Sequence, residues 1–377
     1  MDFSFSEEHD MFRKTVSDFA KKEFKPIVPE LDEKGEWPMD LYRKVGKLGF
    51  VGLRFPEKYG GAGAGVIMEC IFTEEMSKVE MGFPGGILSS ALAITSIYHH
   101  GTEEQKEKYV IPTNRGEKLS AIAITEPNAG SDVASIACKA VKDGNSYVIN
   151  GTKMFISNSP VADFLVVAVK TDKDKKHRGI SLIVVEKGTP GLKVNKLNVL
   201  GSRLCERGEI VLEDCRVPTE NLIGEENKGF YYIMETFDHE RILIGATCVG
   251  IAQGAFDEAL EYAKQREQFG QPIGKFQGIQ FMLADMAVEI EAARLLTYKG
   301  AWMADQGMEM AQAAAFAKLY AGEMANRVCY KATQIHGGYG YSMEFPVQRH
   351  ARDARLLSIG GGTSQIQQNI IARLLGL

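Results

Sequence analysis

"SYVINGTKMFISN", residues 146 to 158, decides how this chain is read. Its β-branched and aromatic residues are spaced as in a strand and bounded by turn formers. Three runs after it repeat the pattern: "ADFLVVAVK", "GISLIVVE" and "GEIVLEDCRVP" are short, β-branched and closed by Gly, Asp, Lys or Pro. No helical period separates them. Short strands in such regular succession predict an antiparallel barrel or sandwich over residues 118–230.

Outward from that zone the period changes on both sides. Residues 1–117 read as helical. Ser4 and Glu7 have capping-box spacing ahead of an amphipathic run through Phe12, Val16 and Phe19. The stretch "EKYGGAGAG", Glu57 to Gly65, reads as a loop. Residues 231–377 are helical again. Arg241–Glu267, Gln280–Gln306 and Met310–Ile335 are long, Pro-poor and rich in good helix formers, which predicts an antiparallel bundle. The order helices, strands, helices gives an α+β chain of three domains, 1–117, 118–230 and 231–377. It is not a doubly wound pattern, and "GGAGAG" lacks the strand–turn–helix setting of a dinucleotide fingerprint.

Composition narrows the function. A net charge of −5 in 377 residues argues against a nucleic-acid surface. No apolar run approaches the roughly 20 residues of a membrane span. The start, MDFSFSEEHDMFRK, lacks a secretory signal and predicts a bacterial-type cytoplasmic protein. Six scattered cysteines form no CxxC pair and no zinc spacing, so neither a metal nor a disulfide framework is expected.

Four segments carry chemistry. "ITEPNAGSDV", Ile124 to Val133, gathers hydroxyl, amide and backbone groups in one tight loop, although a plain turn reads the same way. "AKQREQFGQPIGKFQGIQ", Ala263 to Gln280, contains Arg266, suited to a phosphate or to a helix C-terminus. "QIHGGYGYSMEFPVQRHARDAR", Gln334 to Arg355, has a Gly pair open to close approach. Its His336 reads as an orienting or packed residue rather than a base, because no nucleophile adjoins it. "SIGGGTSQIQQ", Ser358 to Gln368, has three consecutive glycines where another molecule could meet bare backbone. By themselves these pieces indicate a cofactor or phosphate-containing ligand.

Together and in order, "GTEEQKEKY", "AITEPNAGSDV", "INGTKMFISN", "REQFGQPIGKFQ" and "QIHGGYGY" resemble the acyl-CoA dehydrogenase family of flavoproteins along essentially the whole chain. The resemblance implies an N-terminal helical domain, a middle β domain and a C-terminal four-helix domain. It further implies FAD, an acyl-CoA substrate, electron-transfer flavoprotein as partner and a homotetramer. It places Ile122, Ile124, Thr125, Phe155, Ile156 and Ser157 at the flavin ring, with Phe155 where many relatives carry Trp. Arg266, Phe269 and Gln277 would hold the pyrophosphate and adenosine, with Gln334 and Gly338 approaching from a neighbouring subunit. Thr363 and Gln365 would also reach FAD, and Ser131, Asp238 and Arg241 would meet the CoA substrate.

One departure from the family pattern matters most. Where most members read Tyr-Glu-Gly-Thr and use the Glu as base, this chain reads Gly360-Gly361-Gly362-Thr363. The resemblance to a subgroup with branched-chain and long-chain enzymes moves the base to Glu240, in "FDHERILIGA". Gly361 would keep only its backbone N–H, as an oxyanion donor beside the flavin's ribityl hydroxyl. A favourable acid near a helix N-terminus would give the same letter at 240. The expected reaction is α,β-dehydrogenation of an acyl-CoA. Alternatives are the reverse enoyl-CoA reduction, an oxygen-using oxidase, or a silent acyl-CoA-binding flavoprotein. A base on the other helix is expected to free space near Gly361, which favours a branched or cyclic acyl group.

Overall fold

A computed structural model describes residues 4–377. Helices α1 (Glu7–Phe19), α2 (Val28–Lys34), α3 (Met39–Lys47), α4 (Gly65–Ser77) and α5 (Gly82–His100) form the first part, completed by the short α6 (Glu103–Gln105) and α7 (Ile111–Asn114). The cap of α1 is Ser6, whose hydroxyl accepts from the His9 N–H at 3.3 Å, and not Ser4 as the spacing predicts. Glu7, Glu8 and Asp10 then fall in the first turn, where the helix dipole favours acids.

The middle part holds β1 (Ser120–Ala123), β2 (Lys139–Asp143), β3 (Ser146–Ser157), β4 (Phe164–Lys170), β5 (Ile180–Glu186), β6 (Leu192–Lys196) and β7 (Arg207–Pro218). The sheet is mainly antiparallel, as expected, but β1 runs parallel to β4, with Ser120 opposite Phe164. β2 joins β4 only through Lys139 and Lys170, so the strands fall into two leaves, β5-β4-β1 and β2-β3-β7-β6. Their inner faces share a core of Ala121, Ile149, Leu165, Ile183, Ile210 and Val217. Strands β4 and β5 are buried on both faces. Their other side, with Val166, Leu182 and Val184, packs on Ile94 and Ile97 of α5 and on Ile233. This second burial explains why both read as unbroken apolar runs rather than alternating ones.

The last part is built on α8 (Gly229–Gln265), followed by a hairpin of β8 (Glu267–Gln268) and β9 (Gln271–Pro272), then α9 (Gln277–Asp305), α10 (Ala311–His336), α11 (Val347–Ala354) and α12 (Ser364–Leu374). α8 is 37 residues long, about 55 Å at 1.5 Å per residue. It starts well before Arg241, where the sequence pattern begins. Its middle is buried against α4, α5, α9 and α10 through Ile242, Ala246, Val249 and Ala252. Among the described residues it is the one helix long and apolar enough to cross a membrane, and most of that apolar stretch is packed inside the protein. All six cysteines are free and buried.

Candidate active site

The site forms where the glycine run meets α8. Gly361 has φ +64°, a left-handed conformation that glycine adopts without strain. A Cβ built on it would lie 3.6 Å from Glu240 Oε1 and only 2.1 Å from Ile244 Cδ1. Glu240 therefore stands directly beside Gly361. Ile244, one turn further along α8, fills the volume that a side chain at 361 would take. The space near Gly361 is thus not free, contrary to the sequence expectation, because an isoleucine has moved into it. No internal acceptor engages the Gly361 N–H among the described residues.

Glu240 lies inside α8, not at its start, so the reading as an N-terminal dipole partner is corrected: the helix begins at Gly229. The carboxylate keeps part of its surface accessible but sits deep in the protein, and burial raises its pKa to about 7 against the opposing charges of Arg241 and Lys318. No hydrogen bond or ion pair occupies it among the described residues. A buried carboxyl poised near neutrality and left without a partner has the properties of a general base awaiting its proton.

Neighbours on α8 are arranged around it. Arg241 pairs with Asp238 one turn back and lies 5.8 Å from the Phe237 ring centroid. His239 is pushed down to about 4 by burial and by the charges of Arg54 and His99, so it is neutral at physiological pH. Arg54 is itself held by Glu69 at 3.0 Å and by the Thr95 hydroxyl at 2.6 Å.

The loop from Ile124 is anchored by a feature that the sequence reading missed. Lys153 on β3 is fully buried and donates to Glu126 Oε1 at 2.8 Å and to the Ile124 carbonyl at 3.0 Å. Glu126 also accepts the N–H groups of Ala137 and Cys138. The charged pair pins the loop bearing Thr125 and Ser131 to the sheet. Parity on β3 carries the signal: Tyr147, Ile149 and Lys153 share the inward face. The register slips between Lys153 and Ile156, and in that bulge Phe155 takes φ +61° and is 63% exposed. A bulge re-aims a side chain, and here it presents an aromatic face to the outside. Ile156 returns to the β core, so its side chain does not face the expected ring position; Ser157 lies beside it, half-buried. Ile122 and Ile124 are half-buried against the helical cores.

Arg266, just beyond α8, lies over the Tyr339 ring at 5.6 Å. With Tyr262, Gly337 and Gly338 it lines an open pocket of about 630 Å³. Gly337 and Gly338 leave open space where a Cβ would project. Phe269 and Gly270, both at positive φ, make the two-residue turn between β8 and β9, with Phe269 almost wholly exposed. Gln277, Gln334 and Gln365 are exposed, and Thr363 caps α12 through its hydroxyl. Arg266 and Gly338 thus share one wall of a single chain, where the sequence reading divides them between subunits. His336 is packed: it stacks on Tyr262 at 4.5 Å and bonds the Ala332 carbonyl.

A cofactor with a phosphate end and a flat ring fits two separate places. The glycine-walled pocket at Arg266, which Glu344 also lines, offers a guanidinium to phosphates, and the exposed Phe155 offers an aromatic face to the ring. Glu240 and Arg266 stand about 39 Å apart along α8.

The chain matches three domain families end to end: acyl-CoA dehydrogenase N-terminal domain over residues 6–117, middle domain over 121–215 and C-terminal domain over 227–376. This chain belongs to the acyl-CoA dehydrogenase family. It is 46% identical to a short-chain specific acyl-CoA dehydrogenase of Clostridium acetobutylicum, covering 99% of both chains. It is 43% identical to the caffeyl-CoA reductase–Etf complex subunit CarC of Acetobacterium woodii, covering 98% of this chain and 99% of that one. The structure of butyryl-CoA dehydrogenase from Megasphaera elsdenii superposes with a TM-score of 0.96 at 41% identity, covering all of both chains. The helical, β and helical parts of this family member are the N-terminal, middle and C-terminal domains of the family.

Proposed function

We propose that the chain dehydrogenates an acyl-CoA thioester at Cα–Cβ, with Glu240 as the base. The observation that carries this is the facing pair: an unpartnered, half-buried carboxylate opposite a glycine whose N–H is free. In this reading the α-proton passes to Glu240. The developing enolate oxygen is stabilised by the Gly361 N–H, a fixed donor aimed where charge appears. FAD, when bound, supplies the hydride acceptor. Thr125, Phe155 and Ser157 border its ring, Thr363 and Gln365 also reach FAD, and Ser131, Asp238 and Arg241 meet the CoA substrate. Because Arg266 and Gly338 stand together and far from Glu240, they serve the FAD of a neighbouring subunit, with Phe269, Gln277 and Gln334 beside them. That makes cofactor binding depend on assembly into a homotetramer. The exposed Phe281, Val288, Leu295 and Trp302, spaced seven apart on one face of α9, support contact with a second copy.

The short-chain specificity in the name of the Clostridium relative and the occupation of the space at Gly361 by Ile244 favour a short, unbranched acyl group. Electron-transfer flavoprotein is the proposed partner, supported by the Etf complex in the name of the Acetobacterium relative. The reverse reaction is the second reading, since that relative is named a reductase and acryloyl-CoA reductase of Anaerotignum propionicum is 42% identical. The test is anaerobic mixing of FAD-loaded protein with a panel of acyl-CoA thioesters. Flavin bleaching with a butyryl-length substrate supports dehydrogenation. Tight binding with an unchanged spectrum across the panel, and no reoxidation of reduced flavin by enoyl-CoA, would reject both directions.

A further inference from the structure

We propose that Lys318 is a positioning residue for proton abstraction: from α10 it ties down the glycine run opposite Glu240 and sets a fixed positive charge behind that carboxylate. This rests on the reading of Glu240 as the base. Lys318 stands on the apolar face of α10 with Ala314 and Ala321, and it is 1% exposed. Its ammonium donates to the Gly362 carbonyl at 2.5 Å. No carboxylate forms an ion pair with it among the described residues. A buried ammonium with one neutral acceptor is costly to keep, and a methionine would fill the same volume without that cost.

What the lysine does follows from its surroundings. The Gly361 and Gly362 carbonyls are held at 3.3 and 3.2 Å by Gln367 of α12, and Lys318 takes the second of them from α10. These two side chains fix how the glycine run is turned, and so where the Gly361 N–H points. The charged or titratable groups acting on Lys318 are Glu240, Arg241 and Cys248 from α8 and Glu323 from its own helix. Residues 358–368 bring none. Glu323 is engaged by the Ser364 hydroxyl. Glu240 and Glu323 both act on the ammonium, Glu240 more strongly, while Arg241 is committed to Asp238. Burial lowers the lysine's pKa and raises the glutamate's, and each charge counters the other's shift.

A residue that only filled space or stabilised the fold would leave the pH dependence of the reaction alone. The experiment therefore follows anaerobic flavin reduction by an acyl-CoA thioester from pH 5.5 to 9, in FAD-loaded wild type, Lys318→Met, Lys318→Gln, Lys318→Arg and Glu240→Gln. Flavin absorbance and a melting curve check each protein first. The expected result is an acid limb displaced to higher pH by on the order of one unit in the Met and Gln variants, and kept near wild type in Lys318→Arg. Lys318→Gln, which retains a donor, should also recover more of the high-pH rate than Lys318→Met. A limb that stays in place in whichever neutral variant folds overturns the proposal, whatever happens to the melting temperature. Full activity in Glu240→Gln overturns instead the reading of the base. An inactive Glu240→Gln beside unmoved Lys318 limbs overturns only the role of the lysine.

Discussion

In the proposed mechanism, Glu240 and Gly361 divide between them the base and the oxyanion donor. The substitution Glu240→Gln keeps the shape and removes the basicity. Stopped-flow flavin reduction should fall by at least ~100-fold while FAD stays bound, the lower scale for a positioned general base. In the wild type the rate should rise with pH through about 7, because only the ionised form of Glu240 accepts the proton. Returning a glutamate to position 361 should rescue Glu240→Gln only weakly by itself, because Ile244 must first turn its terminal methyl away. The new Cβ would overlap Ile244 Cδ1, and the left-handed backbone costs a further ~1–2 kcal/mol for an L side chain. Fuller rescue should need Ile244→Val as well, which removes the obstructing methyl. Equal rescue with and without Ile244→Val, read by the same reduction assay, would show that the isoleucine is no obstacle. The Glu/Gly exchange is legible in the sequence once the family pattern is in view. Ile244 is not, because nothing in its spacing separates it from the other core residues of α8.

The strands and helices differ in how plainly the sequence shows them. β3, β4, β5 and β7 stand out as β-branched runs. β1, β2 and β6 do not, being only four or five residues long and held by pairing rather than by pattern. The early start of α8 is hidden because "GFYYIMETFDHE" is rich in aromatic residues and Lys228 provides no side-chain cap; tertiary burial of Tyr232 and Ile233 overrides propensity there. Lys153 is also hidden, since a lysine in a strand reads as solvent-facing unless its parity is followed. Removing one partner of a buried ion pair leaves the other charge stranded, at a cost of about 3–5 kcal/mol. Lys153→Met should therefore lose stability on that scale by chemical denaturation and release the Ile124–Val133 loop. Adding Glu126→Gln should return part of the loss. A single variant as stable as wild type would mean that the loop is anchored by its backbone bonds alone.

At the scale of the molecule, α11 is one place where all three domains meet. Arg352 reaches Asp32 of α2 at 2.6 Å and the Leu200 carbonyl at 3.0 Å, and Asp353 accepts the Ser202 N–H at 2.5 Å. Glu80, buried nearby, accepts the N–H groups of Gly82 and Phe83 at the head of α5. Burial, with Asp353 adding repulsion, raises Glu80 to about 8; burial raises Asp353 to about 6. A carboxyl whose folded pKa is raised holds its proton better in the native state. Its contribution is complete below the unfolded pKa and is lost as pH rises to the folded one. Melting temperature should therefore decline as pH climbs from about 5 to 8, and Glu80→Gln should flatten that slope. A slope unchanged by Glu80→Gln would place the effect elsewhere. Assembly belongs to the same scale. Val288→Asp on the exposed α9 face should shift sedimentation toward smaller species and weaken FAD retention together. Loss of one without the other would separate oligomerisation from cofactor binding.

The burial of every cysteine gives each domain its own silent reporter. Cys70 belongs to the N-terminal domain, Cys138, Cys205 and Cys215 to the middle domain, and Cys248 and Cys329 to the C-terminal bundle. Burial holds the Cys138 and Cys215 thiols up at about 11, so little thiolate exists near neutral pH to attack a reagent. The intact protein should resist alkylation. Pulsed maleimide labelling during heating, read by peptide mass, would then date the opening of each domain separately and reveal which one lets go first.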